Sequence, residues 1–118
     1  MTIAHYLTTN IHHLIDPWQA ALRSISHCPN VCIKISGIGV PGQAWTAAAN
    51  REIVRWLIEC FGVPRCMFAS NFPVDSLCAR FDEIYGGFEA IVADLSAAEQ
   101  HALFYANANR IYDMRLPA

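Results

Sequence analysis

Apolar and polar positions along the chain follow two rhythms. In one, β-branched residues alternate with other types over five or six positions. In the other, apolar residues return every three or four. Val31-Cys32-Ile33-Lys34-Ile35-Ser36 is the clearest case of the first. Val31, Ile33 and Ile35 fall on one face and Cys32, Lys34 and Ser36 on the other, which predicts a strand with one oily side. Thr2–Leu7 and Cys66–Ser70 read as two further short strands.

The second rhythm predicts helices. Asp16-Pro17 supplies an N-cap and a first-turn proline; Trp18, Ala21, Leu22 and Ile25 follow on one face until Cys28-Pro29-Asn30. A helix over about Thr46–Phe61 carries Ile53, Leu57 and Cys60/Phe61 as its stripe, and Gly62 and Pro64 stop it. Leu77–Val92 is predicted next, burying Phe81, Ile84, Tyr85, Phe88 and Ile91, with Gly86-Gly87 weakening its middle. Ser96-Ala97-Ala98-Glu99 is a capping box for a last helix towards Asn107, and a turn through Arg110–Tyr112 closes the chain. Strands alternating with helices imply right-handed parallel βαβ units. Three strands cannot close a barrel, which takes eight units and typically ~250 residues.

Composition sharpens this picture. The 118 residues are 54% apolar and 15% charged, with a mean hydropathy of +0.25. A disordered tail is excluded, and one domain is expected. Two accounts of the oiliness stay open. Either the chain is rich in Ala and buried helices, or it is part of a larger fold or one half of an interface. Eight Lys/Arg against ten Asp/Glu give a net charge of −2 without a basic cluster, so no nucleic-acid partner is expected. No apolar run approaches the roughly 18–20 residues that span a bilayer, so no membrane partner is expected either. No Lys or Arg precedes the apolar N-terminal residues, which argues against a secretory signal and for a cytoplasmic protein. Five cysteines, an odd number with no C-x-x-C, read as free thiols in a reducing compartment. Cys28 precedes a turn and Cys32 lies in a strand, so the two do not make a convincing zinc site with His27. Adjacent residues such as His12 and His13 are expected to point their rings apart, so a shared metal is not expected there.

In parallel α/β folds, chemistry gathers at the C-terminal ends of strands. The three ends here offer His5; Lys34 and Ser36; and Ser70, Asn71 and, a little further on, Asp75. Each has a plainer explanation. His5 can be an exposed polar residue, Ser36 can bond to loop backbone, and Asn71 can be a turn-former. Lys34 inside a strand calls for a partner or a polar pore, since burying an unpaired ammonium is costly. No G-x-S-x-G, P-loop or G-x-G-x-x-G is present. These residues by themselves do not prove an active site.

Three segments carry a resemblance. Arg65-Cys66-Met67-Phe68-Ala69-Ser70-Asn71-Phe72-Pro73-Val74-Asp75 resembles the last barrel strand of the amidohydrolase-related (amidohydrolase 2) family, roughly R-x-M-F-G/A-S-D/N-F/W-P. Asn30-Val31-Cys32-Ile33-Lys34-Ile35-Ser36-Gly37 resembles the strand before it, and Asn107-Ala108-Asn109-Arg110-Ile111-Tyr112 the family's closing N-A-x-R-x-Y. The flavour is that of the sugar-lactone hydrolase branch. The resemblance implies a partial (β/α)₈ barrel, about its last three βα units, with parallel strands near 2–7, 31–36 and 66–70. It further implies that residues 1–118 are one C-terminal portion of such a domain. It implies a hydrolase acting on a lactone or related cyclic ester or amide by water attack, often with a divalent metal, zinc or manganese. His5 and Asn71 are then the catalytic candidates; Lys34, Ser36 and Asp75 are the substrate-binding candidates. The family's upstream His-x-His is absent, and Asn71 stands where a carboxylate is usual. A neutral amide cannot act as a general base, although it can orient water or a substrate oxygen. The expected partners are a small-molecule substrate and either a second copy of the chain or the missing barrel half. By itself the chain is expected to be inactive. The alternatives are a non-catalytic α/β module that self-associates and a decarboxylase of the same superfamily.

Overall fold

A computed structural model describes residues 15–118. The predicted strand at 2–7 lies outside the described residues. Helix α1 (Ile15–Ser26) buries Trp18 and Leu22, while Ala21, expected on the same face, is exposed. Asp16 and Pro17 lie inside the first turn of this helix rather than ahead of it. Strand β1 (Ile33–Ile35) follows, then helix α2 (Ala47–Phe61). Thr46 caps α2, its Oγ1 accepting the Ala49 N–H at 3.1 Å. The buried stripe of α2 is Val54, Leu57, Ile58 and Phe61, so Ile53 and Cys60 sit at its margin rather than its centre. Gly62 ends the helix at φ +83°, a conformation that costs glycine little, and donates to the Ile58 carbonyl at 2.8 Å. A 3₁₀ turn (Val63–Arg65) leads into strand β2 (Cys66–Phe68).

β1 and β2 pair in parallel, with Ile33 opposite Cys66, Lys34 opposite Met67 and Ile35 opposite Phe68. Both strands are shorter than their sequence patterns, 31–36 and 66–70. At the start of β1, the Val31 carbonyl accepts from the Arg65 guanidinium at 3.2 Å instead of joining a ladder. At the far end, the Ala69 N–H still reaches the Ile35 carbonyl at 3.1 Å, and then Asn71 turns the chain at φ +56°. The third parallel strand of the sequence reading is therefore not among the described elements. The parallel crossover through α2 is, as expected of a βαβ unit.

After β2 the chain makes a 3₁₀ turn (Val74–Leu77) before helix α3 (Phe81–Ile91). The sequence pattern started this helix at Leu77. Arg80 is extended (ψ 159°), and its N–H is taken by the Glu83 carboxylate at 3.2 Å, which sets the later start. Ile84, Phe88 and Ile91 are buried, but Phe81 is 51% exposed. The Ser96–Glu99 capping box forms as expected, with both reciprocal bonds at 3.1 Å. It opens helix α4 (Ala97–His101), which widens into a π turn (Ala102–Ala106) and continues as helix α5 (Asn107–Ile111).

The helices cover one face of the strand pair. Ile33, Ile35, Cys66 and Phe68 all belong to the hydrophobic core with α2, α3 and the π turn. Phe68 stacks on Phe88 at 4.3 Å between ring centroids, and Trp45 meets Phe88 edge-on at 5.1 Å. Lys34 and Met67 share the opposite face, by strand parity and by register. That is the layering of a barrel wall, with helices outside and alternate side chains inside.

Candidate active site at the C-terminal ends of the strands

Because the two strands are parallel and in register, the segments after Ile35 and after Phe68 leave the sheet at the same end. Ser36 and Asn71 are thus brought to one edge. Ser36 is buried at 2% exposure directly beyond β1. Lys34 lies one residue inside, half-buried on the face away from the helices, and forms no ion pair among the described residues. His5 lies outside the described residues.

Asn71 and Asp75 make direct contact. The Asn71 Nδ2 donates to Asp75 Oδ1 at 3.0 Å, and the Asp75 N–H donates back to the Asn71 carbonyl at 3.0 Å. The Phe72–Pro73 peptide between them is cis. Asp75 is only 3% exposed. Burial pushes its carboxyl pKa above the ordinary range, and the Asn71 hydrogen bond partly opposes that shift. The same turn is tied down at its other end. The Asp75 carbonyl accepts the Cys78 and Ala79 N–H groups at 2.9 and 3.1 Å, and the Cys78 carbonyl accepts the Trp45 N–H at 3.2 Å. The loop after β1 closes on this turn so tightly that a Cβ on Gly39 would lie 2.9 Å from the Cys78 Sγ.

The sequence pattern puts Asp75 in the loop a few residues past the strand end; the structure buries it against Asn71. The available signal was the spacing, two polar residues four apart bracketing a proline. Other residues of the family-like segments do different work. The Arg65 guanidinium donates to the carbonyls of Ser26, Cys28, Val31 and Phe61 at 2.8 to 3.2 Å, and Asn107 donates to those of Val63 and Cys66. Both stand at the opposite, N-terminal end of the strands and hold the sheet.

Metal chemistry needs several donors at once. Among the described residues no three His, Cys, Asp or Glu side chains come together as a metal site. At the strand ends the described donors include the Asp75 carboxylate, already hydrogen-bonded, the Cys78 thiol on the same turn, and the neutral oxygens of Ser36, Ser70 and Asn71. Three or four ligands are the usual need of zinc. These residues alone do not fit a divalent ion.

Comparison with known proteins decides the lineage. A family model described as amidohydrolase matches residues 7–114. The chain belongs to the amidohydrolase family. Among curated proteins, this amidohydrolase chain is 43% identical over 97 residues to the protein y4mH of Sinorhizobium fredii, covering 82% of the chain and 33% of that protein. It is 36% identical over 109 residues to an L-fucono-1,5-lactonase of Burkholderia multivorans, covering 86% of the chain and 36% of the lactonase. The chain thus spans about a third of the length of these relatives. Two crystal structures of a Burkholderia multivorans amidohydrolase are similar to it. One, with bound HEPES, gives a TM-score of 0.78 at 32% identity over 86% of the chain and 37% of that structure. The other, with bound zinc, gives 0.81 at 30% identity over 94% and 41%. The amidohydrolase fold therefore accounts for the parallel pair and its helices. No described helix is long and apolar enough to cross a membrane.

Proposed function

We propose that this chain supplies one arc of a barrel that hydrolyses a lactone, with the substrate held over the C-terminal ends of β1 and β2. The observation that carries this reading is the placing of Ser36 and the Asn71–Asp75 pair at one sheet edge, in a chain 36% identical to a sugar lactonase. In the proposed reaction, water attacks the ring carbonyl carbon while His5 takes its proton. The tetrahedral oxyanion then collapses, the ring C–O bond breaks, and the leaving alkoxide recovers a proton to give a hydroxy acid. Asn71, being neutral, orients the water by hydrogen bonding and does not take the proton. The Lys34 ammonium attracts the developing negative charge, and the Ser36 hydroxyl donates to a substrate oxygen. Asp75 reaches the substrate side through Asn71. A zinc, as in the related structure, or a manganese would be held by residues outside 15–118.

The test uses a panel of sugar lactones, with and without added zinc or manganese. The chain spans about a third of its curated relatives, so lactone binding is the expected result for the chain alone, and turnover for the chain within a complete barrel. Binding or turnover lost in Asn71→Ala and His5→Ala supports the reading. A well-folded chain that neither binds nor opens any lactone counts against it, and release of carbon dioxide instead points to a decarboxylase.

A second reading rests on a separate observation. Phe72, Val74, Leu77 and Phe81 are 37%, 56%, 69% and 51% exposed and lie close together along the segment after β2. Such a patch suits self-association or complementation by the remainder of a barrel. A discrete inactive dimer in size-exclusion chromatography with light scattering favours this module.

A further inference from the structure

We propose that Asp75 is a positioning residue: it fixes which way round the Asn71 amide stands, so that the Asn71 Oδ1 is left as an acceptor for an O–H donor, a water or a substrate hydroxyl. An ionised carboxylate offers only acceptors, so only the Nδ2 side of an amide can face it. The 3.0 Å contact between Asn71 Nδ2 and Asp75 Oδ1 has that arrangement. It leaves the Asn71 Oδ1 without a hydrogen bond among the described residues. The backbone that carries the carboxylate is held in place independently of that side-chain bond. The Asp75 N–H donates to the Asn71 carbonyl, its own carbonyl accepts from the Cys78 and Ala79 N–H groups, and the residue is screened from solvent. A buried carboxylate bonded to a half-buried amide makes a charge-assisted bond, stronger than the amide would make with water. An amide free to flip offers an acceptor or a donor indifferently; one held this way distinguishes a donor hydroxyl from an anionic oxygen.

Among the described residues, the turn itself and the loop closed on it bring no competing charge to the pair; Lys34, one residue inside β1, is the nearest cation the site reading uses. The Cys78 thiol on the same turn is held neutral by burial and by the Asp75 charge, and Gly39 and Trp45, from the loop closed on the turn, are uncharged. The identity of the donor hydroxyl rests on the lactonase reading above. The geometry of the pair does not.

Nuclear magnetic resonance of the ¹⁵N-labelled chain reads the Asn71 side-chain NH₂ directly. In the native chain one Hδ2 proton should resonate downfield, and exchange with solvent at least about tenfold more slowly than the amide of the exposed Asn30. Asp75→Asn should erase both signatures, and Asp75→Glu should restore part of them. If Asp75→Asn does not fold, acidification of the native chain decides instead: the Asn71 pair should move as Asp75 takes up its proton. An Asn71 amide that exchanges like Asn30 and ignores acidification overturns the proposal. An inert chain in the lactone assay leaves these signals untouched, so failure of the functional reading and failure of this inference are told apart.

Discussion

The Asn107 side-chain amide donates to the main-chain oxygen of Cys66 at 2.8 Å, across 41 residues of sequence. The same Nδ2 reaches the Val63 carbonyl at 2.6 Å, so one amide bridges the 3₁₀ turn and the first residue of β2. Asn107 itself is 1% exposed. The last helix is thereby bolted to the start of the last strand, and the strand's other end is where the candidate site stands.

Asn107→Ala should therefore be costly. Two carbonyls lose their side-chain donor in a site that admits little water, at a loss of about 2–4 kcal/mol. Asn107→Asp should be at least as bad, because a carboxylate cannot donate to either carbonyl. Urea unfolding monitored by circular dichroism measures both.

The paired glycines of α3 should respond in opposite ways. A Cβ on Gly86 meets nothing within 4 Å, so Gly86→Ala should stabilise by about 0.5–1 kcal/mol through helix propensity. A Cβ on Gly87 would lie 2.1 Å from Trp45 Cζ3. Gly87→Ala should destabilise by about 1–3 kcal/mol, because the buried Trp45 ring lies against that helix, edge-on to Phe88, with little room to give way. Thermal melts of the two variants should move apart on either side of the native value.

Arg65→Lys should not behave as a conservative change. The guanidinium serves four carbonyls from α1, α2 and the approach to β1. An ammonium is a compact point charge and cannot span that set. A loss of about 2 kcal/mol is expected. By contrast, Arg55→Ala, which breaks the 2.7 Å surface pair with Asp94, should cost about 0.5 kcal/mol or less.

Stability should fall as pH rises just above the ordinary aspartate range. The folded state holds the Asp75 proton more tightly than the unfolded chain, since burial raises its pKa. The native state then binds more protons than the unfolded state in that window, so this contribution is fully present at lower pH and is lost as Asp75 ionises. Asp75→Asn should flatten that part of the profile in urea midpoints taken across the window.

The thiols should differ in reactivity. Burial pushes the Cys66 pKa up to about 12, and Cys28 is exposed. A thiol reagent at about pH 8 should label Cys28 in the native chain and leave Cys66 unmodified until denaturant is added.

Much of this architecture was legible in the chain itself. The alternation from Val31 to Ser36 located β1, Thr46 and Gly62 bounded α2, and the Ser96–Glu99 box opened α4 where the sequence placed it. These are short-range effects, in which a cap or a period acts within a few residues. The misses have long-range causes. β1 is trimmed because Arg65, 34 residues away, takes the Val31 carbonyl. Asp75 looked like a loop residue because its burial depends on the loop after β1 closing over Cys78. Phe81 fits the helical stripe yet stays half-exposed, packing on Phe72 at 5.5 Å outside the core. Asn71 and Ser36 met at one edge because the parallel register, foreseen from the strand–helix alternation, carries both there.

The π turn at Ala102–Ala106 makes the spelling of the last helix unforgiving. There the Asn107 N–H reaches back five residues to the Ala102 carbonyl, one more than an ordinary helical turn. Each residue of an α-helix advances its side chains by about 100° around the axis. A single-codon deletion in this stretch would leave a sound helix, yet swing Asn107 off Cys66 and towards empty water. The C-terminal arm acts as a key whose tooth is cut by residue count, and insertions there should be tolerated less well than substitutions.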